Sequence, residues 1–489
     1  MSQLPPQPPA SDPRMRGVLL IAVVLSALYG LEVVIDLLRP HLPYEDFHSP
    51  VGWLNPPPKG LPYPSFGWYK VSFWCYVLSL PAALALYLTG RRGGRYLPHW
   101  QAAAAVVLLF PYPIWTLDTY SHNLTYILLC LPSTAYALWL VHRMQRYSRL
   151  PVRLLLATAG WGAVMGTGFG GSMNQWWLDY SYNYLAPGPD HLMPLDLARV
   201  RLRVTAGGLL HAGLFEELGK GAGVAIVFLL LRRHIDNIVS GIVLGAAAGL
   251  GFNLTESAQY MAAHHAADAS TQYFLRQSLG LLTAHMAFTA LIGAGFGVAR
   301  QLPDRRSQRT AIACGFGIAM AAHFANDVFI SYYSRVKEDW FSQPGPTMDL
   351  LVLTPLSFLV LQGPLVLLYL LLLRRGLRDQ AEALAVELRA EAATGQGAVT
   401  AAEVPVLLRP ARRFYLRLHA LRHQGPDAYR RLGRLYAAQL RLGMARWHRS
   451  RDEYDPYAPD EQALRQRVLA LKHQPGPAVA AGRPLQVAS

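Results

Sequence analysis

Long apolar runs alternate with short polar segments along most of the chain. Runs of about 18 or more apolar residues can cross a bilayer as α-helices. The pattern predicts about ten such spans, near residues 17–38, 71–91, 101–120, 124–142, 152–174, 204–231, 238–262, 275–299, 310–333 and 351–374. The predicted fold class is therefore all-α, a polytopic membrane helical bundle with a C-terminal cytoplasmic helical tail.

The composition of the chain agrees with this fold. Hydrophobic residues make up 52% of the 489 residues, and charged residues make up only 15%. A soluble protein contains about 25% charged residues, so the composition excludes a soluble globular protein. The three cysteines lie in separate apolar runs without a metal-binding spacing, which predicts neither a disulfide framework nor a zinc knuckle.

Arginines at alternate span boundaries predict the orientation of the bundle. They precede the first predicted span and follow the second, fourth, sixth, eighth and tenth, whereas the other loops have mixed charge or no basic residue. Basic loops remain in the cytoplasm. Both termini are therefore expected to be cytoplasmic.

Ionisable side chains occur inside four consecutive predicted spans, where a charged group costs roughly 2.5–3.5 kcal/mol at the bilayer centre. At 1.5 Å per residue, the paired glutamates lie about 18 Å below the outer end of their span, the third glutamate about 10 Å and each histidine about 15 Å. These depths place five groups in one layer of the bundle, namely Glu216, Glu217, Glu256, His285 and His323.

Helical spacing indicates that these side chains point into the bundle. His285 shares a helix face with Thr289 and Gly293, and His323 shares one with Asp327. Small residues at four-residue spacing let membrane helices approach closely. The polar faces are therefore expected to be the packed faces.

Other ionisable residues in the predicted spans also have a purely structural interpretation. Lys220 lies one turn after Glu216 and can simply neutralise it. Asp327 can bond a neighbouring backbone or hydroxyl group. His211 lies near the outer end of its span, which favours a structural role. Three acids near the outer interface require no function, namely Glu32, Asp36 and Asp118.

Three kinds of chemistry fit this set of residues. Glutamate can act as general base on a trapped water while histidine polarises or protonates a scissile amide. Two histidines and one glutamate can instead hold zinc with an open coordination position. Carboxylate and histidine chains also relay protons in transporters. The residue types alone leave these alternatives open.

Four motifs, in order on successive spans, resemble the PrsW family of intramembrane proteases. The segment EELGK at 216–220 fits the family's EExxK signature, and FNLTE at 252–256 fits its FxxxE motif. HMAFTALIGAGFGVAR and AHFAND look like its two histidine helices. The family is similar in turn to type II CAAX prenyl endopeptidases. Asn253 and Ser257 depart from the residues that many members have, which affects the polar lining and hence substrate preference.

The resemblance, which covers about residues 200–335, implies an intramembrane endopeptidase that cleaves a membrane-anchored protein, such as an anti-sigma-factor-like regulator. It implies a multi-pass protein of the bacterial plasma (inner) membrane. Carried over by position, the catalytic residues are Glu216, Glu217, Glu256, His285 and His323, with Lys220, Asn253 and Asp327 in support.

The cofactor is expected to be either none or one zinc ion. Glu256, His285 and His323 are the expected ligands if zinc is bound. The family is described as metalloproteases, whereas its relation to the CAAX enzymes suggests water activated by glutamate alone, which is the preferred route.

The alternative function is a non-catalytic polytopic membrane protein, either a proton-coupled transporter or a scaffold. Spans one to five hold no second copy of the motifs, which counts against a transporter.

Composition and motifs together divide the chain into six segments. These are a disordered N-terminus 1–16, N-terminal transmembrane helices 17–200, a PrsW-like core 201–335, an outer loop and last transmembrane helix 336–375, a cytoplasmic helical tail 376–475 and a disordered C-terminus 476–489.

The tail contains an apolar stripe of Leu432, Tyr436, Leu440 and Trp447 beside several arginines. It can pack as a small domain, lie on anionic lipid or bind nucleic acid. Its place beside the inner leaflet favours packing or lipid, and nucleic acid is not an expected partner.

Overall fold

The computed structural model describes residues 12–38, 66–92, 96–180, 194–263, 266–341, 345–451 and 460–473. Every regular element in these ranges is helical, as predicted. The predicted disordered C-terminus lies outside the described residues, as do residues 1–11 of the predicted disordered N-terminus. The first helix already begins at Pro13.

Two compact units make up the chain, and the first contains residues Met1–Met144 and Leu150–Leu373. Its helices are α1 (Pro13–Leu38), α2 (Phe66–Arg92), α3 (Leu97–Leu109), α4 (Pro111–His122), α5 (Leu124–Met144), α6 (Val152–Gly160), α7 (Thr167–Tyr180), α8 (Pro194–Leu230), α9 (Ile238–Ala263), α10 (Ala266–Phe274), α11 (His285–Gln301), α12 (Arg305–Phe341), α13 (Pro346–Met348) and the first part of α14 (Thr354–Ala393). Short π-helical segments, Trp161–Gly166, Leu275–Leu279 and Asp349–Leu353, connect some of them.

Seven helical stretches among the described residues are long and apolar enough to cross a membrane. They are Pro13–Ile35, Val71–Arg92, Leu97–His122, Leu124–Met144, Ile238–Ala262, Arg305–Ile330 and Asp349–Ala393. These stretches support a multi-pass membrane protein. The three remaining predicted spans also fall on helices: 152–174 on α6 and α7, 204–231 on α8, and 275–299 partly on α11.

The predicted span 275–299 differs from the structure in its first half. Residues Leu275–Leu279 form a π-helical segment, a turn follows at Gly280, and α11 begins only at His285. A straight helix through this region was therefore the wrong expectation, and the depth assigned to His285 by counting residues along it does not apply.

Helix α9 lies at the centre of the first unit, because 94% of an apolar 18-residue stretch within it is buried. A Cβ atom on Gly249 would overlap the carbonyl oxygen of His285, and one on Gly245 would overlap that of Thr289. On its other side, a Cβ on Gly251 would overlap the carbonyl of Ala159. Backbone therefore packs on backbone, which small residues permit in membrane helices and which fixes the start of α11 against α9.

The π-helical segment between α6 and α7 has its freed carbonyl groups satisfied by side chains from other helices. The Ala163 carbonyl accepts hydrogen bonds from Thr255 Oγ1 at 2.8 Å and Tyr120 Oη at 3.3 Å. Thr116 Oγ1 donates to the Val164 carbonyl at 3.2 Å. Irregular backbone is tolerated inside a membrane only where such partners exist.

The second unit contains residues Gln145–Arg149 and Arg374–Ser489. Its helices are the remainder of α14, α15 (Val404–Leu408), α16 (Pro410–Gln424), α17 (Pro426–Ser450) and α18 (Glu461–His473). Tyr436, Leu440 and Trp447 of the predicted apolar stripe pack in its core, so the stripe serves packing. Helix α14 continues to Ala393, so the second unit, whose main segment starts at Arg374, begins inside a helix.

Candidate active site in the membrane-spanning unit

Helix α8 brings three charged side chains to one place inside the first unit. Glu216 is 5% exposed, whereas Glu217 and Lys220 are fully buried. Their neighbours are Glu256 from α9 and two histidines, of which His285 is the first residue of α11 and His323 lies in the middle of α12. The five residues predicted to be catalytic thus lie in one connected cluster, together with Lys220.

Glu217 has its carboxylate oxygens held by three donors. Oε1 accepts from Lys220 Nζ at 2.7 Å and from His323 Nδ1 at 3.1 Å. Oε2 accepts from Thr289 Oγ1 at 2.9 Å. A fully buried carboxylate with these partners is fixed in position, so Glu217 is suited to orient His323.

Lys220 uses its ammonium group to connect both glutamates of α8 with a histidine. Nζ donates to Glu216 Oε2 at 3.2 Å, to Glu217 Oε1 at 2.7 Å and to His285 Nδ1 at 3.0 Å. An ammonium group has three protons to donate, and all three have partners. The group also lies 3.7 Å from the ring centroid of Phe252, where a cation is attracted to the aromatic face.

Both ring nitrogens of His285 are occupied. Since the ammonium of Lys220 is only a donor, Nδ1 of His285 must accept, and the proton of the neutral ring lies on Nε2. That nitrogen is 2.5 Å from Glu256 Oε2. Glu256 also accepts from Arg276 Nη1 at 2.8 Å. His285 is therefore fixed as one tautomer between a cation and an anion.

His323 leaves one side of the cluster open. With Nδ1 bonded to Glu217, its Nε2 faces Glu216 Oε2 at 3.7 Å and Asp327 Oδ2 at 3.5 Å. Polar groups at such distances are commonly bridged by water. The Asp327 side chain is 22% exposed, more than the other carboxylates in contact with the histidines, so this is the accessible side. Phe288 stacks on the His323 ring at 5.0 Å between centroids and holds its plane.

A divalent metal ion does not fit the side chains as they lie. Among the described residues, Glu216, His285 and His323 offer ligand atoms within 4.8 Å of one another. By residue type this set could hold zinc, and it contains Glu216 where we expected Glu256. However, the Lys220 ammonium contacts two of its three members, and His285 has no free nitrogen. A metal ion would have to displace Lys220.

Glu216 is also supported by residues that the sequence interpretation did not assign to the site. Asn174 in α7 donates to Glu216 Oε1 at 2.8 Å. His211 Nδ1 lies 3.4 Å from Asn174 Oδ1, and His211 Nε2 lies 3.4 Å from Glu32 Oε1. Trp177 stacks on the His211 ring. Glu32 and His211, interpreted as structural, thus belong to a polar chain that ends on the site.

Arg276 is a second residue that the sequence interpretation missed. Besides binding Glu256, its guanidinium lies 3.5 Å from the ring centroid of Tyr260. Asn253, expected to support the site, donates instead to the Arg276 backbone carbonyl at 3.3 Å. An arginine inside a predicted span is costly, and that cost was the signal that could have identified it.

The geometry can be compared with known proteins. No curated protein and no solved structure matches the chain. Residues 150–360 match the PrsW family of intramembrane metalloproteases. This range includes Glu216, Glu217, Glu256, His285 and His323, and the match supports intramembrane proteolysis as the activity of the membrane-spanning unit.

Proposed function

We propose that the protein is an intramembrane endopeptidase that hydrolyses a peptide bond of a membrane-anchored protein, with a water molecule activated by Glu216. The observation that carries the proposal is the open side of the cluster, bounded by Glu216 Oε2, His323 Nε2 and Asp327 Oδ2. The rest of the cluster is closed by hydrogen bonds, so this is where a reacting water and a carbonyl group can enter.

Glu216 and His323 divide the proton transfers in this proposal. Glu216 takes a proton from the water molecule while the water oxygen attacks the scissile carbonyl carbon. Glu216 later passes that proton to the leaving amine. Protonated His323 donates from Nε2 to the oxyanion that forms. Glu217, which accepts from Nδ1 at 3.1 Å, offsets the charge of that imidazole and sets its orientation.

Lys220 takes the place that a metal ion would have in the proposed reaction. Its ammonium sits between Glu216 and His285 and balances the charge of the buried glutamates, so no step requires a metal. In purified wild-type protein we expect far less than the one equivalent of zinc that an occupied site would hold. A chelator should leave cleavage intact, and Lys220→Met should raise the zinc content. Stoichiometric zinc in active wild-type protein would contradict this part of the proposal.

The proposed substrate is a membrane-anchored regulator, such as an anti-sigma-factor-like protein, because the match to an intramembrane protease family favours a substrate in the membrane. We place the protein in a bacterial plasma membrane with both termini in the cytoplasm, as the arginine pattern favours. A thiol introduced at residue 305 should resist labelling in intact cells, whereas one at residue 190 should react. The reverse result would overturn this orientation.

Comparison of membrane-protein fragments in cells tests the activity itself. Cells with the wild-type protein should accumulate a fragment of the substrate that is absent with Glu217→Gln, because loss of that carboxylate releases His323 and Lys220. Glu382→Gln is the matched control, since Glu382 lies exposed on α14. If Glu217→Gln and the control yield the same fragments, the protein is a non-catalytic transporter or scaffold.

A further inference from the structure

Helix α16 in the second unit exposes several large apolar side chains to solvent. Of its 15 residues, only Arg413 and Ala420 are buried. Phe414 is 53% exposed, Tyr415 66% and Leu421 38%. Exposed aromatic and aliphatic groups on one short helix mark an interaction surface when they are contiguous.

These apolar residues do lie together on the helix. Phe414, Leu418 and Leu421 follow at intervals of four and three residues, which is the spacing of one helix face, and Tyr415 lies beside them. We call this surface, formed by Phe414, Tyr415, Leu418 and Leu421, the α16 face. It extends over about two turns of the helix.

The side of α16 that carries Arg413 and Ala420 is buried, so the α16 face points away from the unit's core. Arg413 Nη2 donates to the Arg146 carbonyl at 2.6 Å. The Arg417 guanidinium lies 4.0 Å from the ring centroid of Tyr429. These contacts fix the rotation of α16 and leave Arg412 and Arg422 exposed at its surface.

Charge identifies the chemistry of the partner. Residues 410–450, which form α16 and α17, contain ten arginines and a single acidic residue, Asp427. A helix with an apolar face and arginines around it is the pattern of an element that lies in the membrane interface. Nucleic acid would explain the arginines but not the exposed leucines and phenylalanine.

We propose that the α16 face binds the surface of an anionic phospholipid bilayer. Phe414, Tyr415 and Leu421 enter the boundary between headgroups and acyl chains, while Arg412 and Arg422 contact lipid phosphates. Helix α14 runs without interruption from a membrane-spanning stretch into the second unit, so the unit is tethered to a bilayer at high effective concentration. The partner is therefore always close.

Lipid contact can be measured on the full-length protein in nanodiscs. A fluorophore on Tyr415→Cys, in a chain whose native cysteines are replaced, should be quenched by nitroxide-labelled lipid when the disc contains phosphatidylglycerol. Quenching should be weaker in phosphatidylcholine alone. Gln466→Cys on α18 is the control position, because Gln466 is exposed outside the α16 face and should show no quenching in either disc.

Two sets of variants separate the charged and apolar contributions. Arg412→Gln and Arg422→Gln should each weaken the contact roughly fivefold, since a basic residue at an anionic surface contributes about 1 kcal/mol. Phe414→Ser with Leu421→Ser should abolish it, whereas Val386→Ser, at an equally exposed apolar position on α14, should not. Equal quenching at residues 415 and 466, or equal quenching in both lipids, would overturn the proposal. So would a Tyr415 label shielded by a second copy of the chain.

Discussion

Each unit of the protein buries a cluster of charged side chains, and the two clusters bind their carboxylates with different partners. In the second unit, Glu391 is 1% exposed and accepts from Arg465 through both oxygens, at 2.7 and 2.8 Å. Arg446 donates to the same carboxylate at 3.0 Å. In the first unit, Glu216 and Glu217 contact an ammonium group and an imidazole, and Nε2 of His323 lies 3.5 Å from Asp327 Oδ2 and 3.7 Å from Glu216 Oε2.

The difference separates a cluster suited to a structural role from one suited to proton transfer. A guanidinium donates in a fixed fork and does not lose its proton, so a carboxylate between two arginines is held but cannot exchange protons with them. An imidazole changes protonation state easily. Groups that must move protons therefore need histidine and an open side, and only the cluster of the first unit combines the two.

Glu216→Gln gives the largest effect and tests the reactive side of the comparison. The amide keeps the shape of the side chain but cannot take a proton, so the cleavage rate should fall by about 10²–10⁴, with little change in the thermal unfolding midpoint. Rates should be measured with purified protein and a cleaved substrate. Glu32→Gln, at the far end of the polar chain, should reduce the rate much less. An unchanged rate for Glu216→Gln would remove Glu216 as the base.

Glu391→Ala tests the structural side. It leaves Arg465 and Arg446 without their buried partner, which typically costs about 3–5 kcal/mol. Hydrogen exchange in the second unit should accelerate strongly, while the cleavage rate per folded molecule stays unchanged. Glu382→Ala, an exposed acid on the same helix, should change neither quantity. Equal exchange rates in the two variants would show that the arginine network is not structural.

The grouping of the candidate site residues could be predicted from sequence, but their atomic partners could not. Motif order and helical spacing selected Glu216, Glu217, Glu256, His285 and His323, which the structure brings into one cluster with Lys220. The expected zinc ligands were Glu256, His285 and His323, whereas the group whose ligand atoms lie within 4.8 Å of one another contains Glu216 with the two histidines. The depth of His285 was counted along a straight helix, without the π-helical segment and turn ahead of it. That backbone irregularity depends on contacts with other helices, which one sequence does not show.

The fold was predictable to the same extent and for the same reason. Apolar periodicity identifies a helix because helix formation depends on local sequence, and each predicted span falls at least partly on a helix of the first unit. It missed α10, which lies in the predicted loop after 262, and the short α13. The network around Glu391 joins residues more than fifty positions apart, and arginines with acids on exposed-looking helices carry no local signal of burial. Asn174 was missed likewise, since a single asparagine in an apolar run does not reveal its partner.

Gly249→Ala perturbs the reactive cluster through its backbone and should have an intermediate effect. A Cβ at this position overlaps the His285 carbonyl oxygen, so α9 and α11 must separate. Overpacking of this kind costs about 1–3 kcal/mol, and the displaced His285 should lower the cleavage rate as well. Gly317→Ala is the matched control, because nothing lies within 4 Å of its added Cβ. Thermal unfolding and cleavage rates of the two variants decide whether this close packing positions the site.

The smallest expected effect is an acid-sensitive loosening of the second unit. Burial raises the pKa of Glu403, but the hydrogen bonds from Lys472 Nζ and the Thr400 backbone outweigh it and lower that pKa overall. Arg465 and its neighbours similarly outweigh burial and lower the pKa of Glu461.

A carboxyl group whose pKa is lower in the folded state stabilises the fold at pH values above its unfolded pKa, which is near 4.3. That stabilisation is lost as the pH falls through the pKa of the folded state. Protection of α18 amides should therefore be constant from pH 7 to about 5 and decline below about 4. The loss should be at most about 1 kcal/mol, because solvent screens partly exposed pairs. Glu403→Gln should flatten part of the decline, and a decline that begins between pH 7 and 6 would point to a histidine instead.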